Sequence, residues 1–142
     1  MARDVAATAT RFDRMVPAAP DAIGALRREL RRWARRQGAS AATQANVALA
    51  FSEACTSMIG PEQPSDGEPG PLMLEAWVDD DELDVRVSHR SRGVPSPSPP
   101  AEMGYGFGLA LITRICDRFE VRRRDEQPGT ALLMVFRLEG PT

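Results

Sequence analysis

The chain has 142 residues and a formal net charge of -2 with acidic and basic residues interspersed, which suits one domain with one core and excludes a binder held to nucleic acid by phosphate contacts. All 18 basic residues are arginine, which excludes Schiff-base chemistry and every phosphoryl-transfer site built around a lysine. No stretch approaches the roughly 20 apolar residues that span a bilayer, and MARDVAATATRFDR has no apolar segment behind its charges, so a cytoplasmic protein with no membrane association is expected.

In chain order, Arg11 to Val16 (RFDRMV) predicts a short strand, after which Pro17 and Pro20 break the chain before Asp21, a helix N-cap residue type. From there Ile23, Leu26, Leu30, Trp33 and Ala34 recur at helical spacing, with Arg28, Arg31, Arg32, Arg35 and Arg36 on the opposite, solvated side. Gly38 ends this helix. A second helix is predicted from about Thr43 to Ile59, with Val47, Ala50, Phe51, Ala54 and Met58 as its apolar stripe. The segment GPEQPSDGEPGP is a loop. LMLEAWV and LDVRVSH then alternate as half-buried strands and predict an antiparallel hairpin turning between Asp79 and Glu82. A second Gly/Pro/Ser-rich segment leads to a helix from about Gly108 to Asp117 and two strands, FEVRRR and TALLMVFRL. Cys55 and Cys116 lie in apolar helical patterns without metal-ligand spacing, as buried reduced thiols would. Helices, then strands, then one helix and a closing hairpin predict a sheet covered by helices on one face.

Two segments carry chemistry. Gly104, Gly106 and Gly108 alternate in GYGFGLALI immediately before an apolar helix, where the backbone can approach a ligand and present unpaired N–H groups to an anion. The segment follows a loop rather than a strand and lacks the G-x-G-x-x-G spacing, so it is not a dinucleotide fingerprint. On the second helix, Glu53 and Ser57 are four residues apart and share a face at the edge of the apolar stripe. A carboxylate there reaches a site without full desolvation, as a general base requires. Taken singly, the glycines also suit a plain helix cap, and Glu53 a solvated helix position.

Together these segments resemble the ATP-binding superfamily of histidine kinases, gyrase, heat-shock chaperones and mismatch-repair proteins, most closely its small anti-sigma factor serine kinase branch. The resemblance runs from about Arg11 to Leu138. The branch's E-A-x-T-N-A motif reads Glu53-Ala54-Cys55-Thr56-Ser57-Met58, and its D-x-G-x-G motif reads His89-Arg90-Ser91-Arg92-Gly93. Its G-x-G-x-G-L motif is intact as Gly104-Tyr105-Gly106-Phe107-Gly108-Leu109, and the late G-T pair is Gly129-Thr130.

The resemblance implies a single domain over residues 1–142 with a core of about 11–138, folded as an α+β two-layer sandwich. Its sheet would be mixed and mostly antiparallel, with about three helices on one face. It implies a nucleotide site made by Ser57, His89, Gly93, Gly104, Tyr105, Gly106, Phe107, Gly108, Leu109 and Thr130, with a proline-stiffened lid over residues 92–107. Glu53 would be the catalytic base, with ATP bound through Mg²⁺ near Ser57. The implied partners are a sigma factor, an antagonist (anti-anti-sigma) protein, or both, and a homodimer is compatible with the branch.

The departures bear on the same contacts. Where the branch has an asparagine that helps hold Mg²⁺, Ser57 offers a shorter hydroxyl, a weaker ligand. Where the branch has an aspartate that accepts from the adenine amino group, His89 accepts only when neutral. Ser91 replaces a glycine beside the base. Two functions therefore stand side by side: a serine/threonine kinase that acts on a partner protein, and a kinase-like domain that regulates by binding alone. A sensor histidine kinase fits less well, because the only histidine is His89, at a strand end.

Overall fold

The structure is a computed structural model that describes residues 11–59, 71–89, 110–123 and 130–139. Five strands, β1 (Arg11–Pro17), β2 (Pro71–Asp79), β3 (Glu82–His89), β4 (Arg118–Arg123) and β5 (Thr130–Arg137), form one sheet in the order β1-β2-β3-β5-β4. Every pairing among them is antiparallel. Helices α1 (Pro20–Arg36) and α2 (Ala41–Ile59) cover one side, joined by a third helical segment, α3, described over residues 110–115. The expected two-layer α+β arrangement is present.

Local chemistry sets each boundary. Helix α1 begins two residues earlier than the Asp21 cap predicts: Ala19 occupies the N-cap in extended backbone with no side-chain hydrogen bond, and Pro20 opens the first turn. Proline suits that position because its missing N–H has no helical partner there, which leaves Asp21 inside the turn, facing the positive end of the helix dipole. At the other end Gly38 takes φ +95, its N–H donates to the Arg35 carbonyl, and the Ala39 N–H donates to the Ala34 carbonyl. This paired reversal needs a residue that tolerates positive φ.

Helix α2 starts two residues before Thr43 because Ser40 caps it, its hydroxyl accepting from the Thr43 N–H at 3.1 Å. The β2–β3 turn is Asp80-Asp81, with Asp80 at φ 65, a conformation that aspartate adopts more readily than most residues. The core lies between helices and sheet. Leu30, Phe51, Leu72, Leu74, Leu83, Val85, Val87, Ile112 and Met134 are fully enclosed in it. Phe12 of β1 meets Trp33 of α1 with ring centroids 5.7 Å apart. The five arginines predicted on the outer face of α1 are all exposed.

Candidate functional site

Helix α2 is fastened to the sheet at its first turn. The Thr43 hydroxyl donates to the Arg137 carbonyl at 2.9 Å, and the Ser40 N–H donates to the Leu138 carbonyl at 2.9 Å. Because α2 starts at the C-terminal end of β5 and packs across β3 and β5, it runs back along β5. Fourteen residues of helix from Thr43 to Ser57 rise about 21 Å, and seven residues of strand from Arg137 back to Thr130 cover about 23 Å. The Glu53–Ser57 turn therefore lies over the sheet end where β3 finishes at His89 and β5 begins at Thr130.

His89 pairs with Leu72 on one side and Thr130 on the other. It alternates with Leu83, Val85 and Val87, so its ring is on the helix-covered side, and it is 9% exposed. Ser57 is 6% exposed and Glu53 half-buried. Glu53, Ser57, His89 and the Thr130 strand position thus share one end of one interface. Gly93, the lid over 92–107 and the segment Gly104, Tyr105, Gly106, Phe107, Gly108, Leu109 lie outside the described residues. Directly after them, α3 sets Ile112 in the core, and the Thr113 hydroxyl bonds the Ala110 carbonyl at 2.8 Å.

Cys55, between Glu53 and Ser57, is buried, and burial pushes its thiol up to about 12. It is a packing residue, not a nucleophile. Glu53 and Ser57 supply a carboxylate and a hydroxyl, hard oxygen donors of the kind Mg²⁺ takes. Among the described residues, no three His, Cys, Asp or Glu side chains converge on a metal position. That donor set fits an ion whose other ligands are phosphate oxygens and water, rather than one caged by protein.

The opposite face of the sheet holds a feature the motifs do not signal. Asp84 of β3 is 8% exposed, and its Oδ1 has no hydrogen-bond partner. Burial first, then Glu82 and Asp79, push its carboxyl above the ordinary value, with Arg118 opposing. The strict alternation of LDVRVSH already puts Asp84 on the face away from Leu83 and Val85. Its burial comes from its cross-strand neighbours, which a single strand does not reveal.

A helix layer over one side of a five-stranded antiparallel sheet defines a two-layer α+β protein of the histidine kinase-like ATPase fold. Residues 16–136 match the family model of the histidine kinase-like ATPase domain, and the chain belongs to that family. A crystal structure of the RsbU and RsbW domains of Rv1364c from Mycobacterium tuberculosis is similar to it at a TM-score of 0.69 and 19% identity, covering 93% of this chain and 34% of that one. The chain thus spans about a third of the length of the solved structure it matches. No curated protein sequence matches the chain. Among the described residues no helix is long and apolar enough to cross a membrane.

Proposed function

We propose that this chain is an ATP-binding regulatory protein of the anti-sigma factor serine/threonine kinase type, which phosphorylates a partner protein and controls a sigma factor by binding it. The observation that carries this reading is the convergence of Glu53 and Ser57 of α2 with the His89 end of β3 and the start of β5, within a histidine kinase-like ATPase domain. When bound, ATP would supply the γ-phosphoryl group, with cleavage of its bond to the β–γ bridging oxygen and release of ADP. The Glu53 carboxylate accepts the proton of the partner's serine or threonine hydroxyl, and a half-buried position at the edge of the helix stripe lets that hydroxyl reach it. Ser57 would contribute a hydroxyl oxygen to holding a Mg²⁺ carried by the phosphates. His89 accepts a hydrogen bond from the adenine amino group through a neutral ring nitrogen. In a family site the Gly104–Gly108 segment would bind phosphate through backbone N–H groups without any side chain, so affinity would persist with Ser57 and His89 in place.

Ser57 and His89 also favour a second reading, a kinase-like domain that regulates by protein binding alone. Calorimetric titration with Mg²⁺-ATP, on the wild type and on Ser57→Asn/His89→Asp, separates the two. The kinase reading expects weak binding by the wild type and tightening by about 1–3 kcal/mol in the double variant, the scale of regained charged hydrogen bonds. If neither protein binds nucleotide while the wild type still captures a sigma factor or an antagonist protein, the binding-module reading is right.

A further inference from the structure

The sheet face that α1 and α2 leave uncovered is built in cross-strand rows. One row runs Arg11, Trp77, Asp84, Val135 and Arg118 across the five strands. Asp84, at its centre, is more than nine-tenths buried between an indole and an isopropyl group, with Oδ1 bonded to nothing. The next row toward the hairpin adds the carboxylates of Asp79 and Glu82 on the same face. Three arginines of the face are engaged elsewhere, Arg11 with Asp13 and Glu75, Arg86 with Glu75, and Arg118 with Glu82, while Arg137 stands opposite Glu82 in the row beside Asp84. Four residues along β3, Ser88 Oγ is also buried without a partner. Its row holds Met73 and Met15, the latter 60% exposed.

We propose that this face is a docking surface for a basic segment of a partner protein, laid along β3, with an arginine or lysine entering the Asp84 row and an apolar side chain covering Met15 and Met73. An anion already desolvated by the fold lacks only a donor, and a cationic side chain supplies both donor and charge. The aliphatic stem of that side chain packs on the partly exposed Trp77 indole, as long cationic residues do against apolar surface. The Arg11 and Arg86 guanidiniums already stand 5.5 and 5.3 Å from the Trp77 ring centroid, so this face accommodates that chemistry. Asp84 and Ser88 are about 13 Å apart along the strand, which places the apolar anchor four positions after the cation in an extended peptide, with three residues between them. This surface is on the opposite side of the sheet from Glu53 and His89, and it stands independently of the nucleotide reading.

The probe is the peptide acetyl-Arg-Ser-Ala-Ser-Leu-amide, titrated into ¹⁵N-labelled protein, with acetyl-Glu-Ser-Ala-Ser-Leu-amide as its charge-inverted counterpart. The basic peptide is expected to shift the amide resonances of Trp77, Asp84, Ser88 and Val135. Asp84→Asn is expected to weaken it at least 5-fold, whereas Asp21→Asn, the same charge change on the helix layer, leaves binding unchanged. Equal binding by wild type and Asp84→Asn, or equal binding of the two peptides, overturns the proposal. So does sedimentation showing a wild-type dimer that Asp84→Asn dissociates, because the occupant of the face would then be a second copy of this chain.

Discussion

Thr43 Oγ1 donates to the Arg137 carbonyl at 2.9 Å, joining the first turn of α2 to the last residue of β5 across 94 positions of sequence. Thr43 is 2% exposed and its hydroxyl also accepts from Ser40 Oγ at 3.1 Å, so the cap of α2 and its attachment to the sheet are one hydrogen-bonded unit. Thr43→Val keeps the shape and leaves the Arg137 carbonyl without this donor. Urea unfolding is expected to show a loss of about 1–3 kcal/mol. Ser40→Ala removes the cap for about 1 kcal/mol, and the double variant loses less than the sum because the two groups share a partner.

Asp84 makes stability depend on pH with a definite sign. Its folded-state pKa is raised above the ordinary 3.8, chiefly by burial, so the folded chain holds this proton more tightly than the unfolded chain. Stability is therefore fully present below 3.8 and falls as pH rises through the higher folded value. Asp84→Asn removes this titration without changing shape. In denaturant melts the variant gains on the wild type as pH is raised from 3 to 7. A constant difference over that range would mean that Asp84 is not desolvated in the folded protein.

Much of this fold is legible in the sequence because local periodicity and burial agree. The stripe of Val47, Ala50, Phe51, Ala54 and Met58 is buried as its spacing predicts, and the hairpin turns between Asp79 and Glu82. The start of α1 was not legible, because Pro20 after a residue with no capping side chain competes with Asp21 as an opening signal. The β4–β5 pairing is the predicted closing hairpin, whereas the β3–β5 pairing joins distant parts of the chain and no single segment encodes it. For the same reason Glu53 and His89 are recognisable by motif, whereas the Asp84 row exists only once strands from both halves of the chain lie side by side.

Packing gives a sharp contrast between two aliphatic residues. Leu30 is fully buried in the core, while Val121, on edge strand β4, is 50% exposed. Leu30→Ala is expected to lower the unfolding free energy by about 2–5 kcal/mol through lost contacts and a cavity. Val121→Ala is expected to change it by less than about 0.5 kcal/mol, as exposed substitutions do. Thermal melts of the two variants beside the wild type measure the difference directly.

The cysteines test whether the helix that carries Glu53 is as closed around Cys55 as its packing indicates. Cys55 and Cys116 are both free, with thiols pushed up by burial from 9.0 to about 12 and to about 11. The attacking species is the thiolate, so each unit of pKa above the solution pH removes a factor of ten from the reactive fraction. The shift from 9.0 to about 12 leaves roughly 1,000-fold less thiolate at Cys55, and the shift to about 11 leaves roughly 100-fold less at Cys116. Cys55 is also 1% exposed, which blocks the reagent itself. A thiol-reactive disulfide reagent at pH 8 is therefore expected to label Cys116 slowly and Cys55 only after unfolding, with two thiols titrated in 6 M urea. Rapid native labelling of Cys55 would mean that the Glu53–Ser57 turn opens to solvent. That outcome would remove the rigid placement of Glu53 on which its role as a base depends.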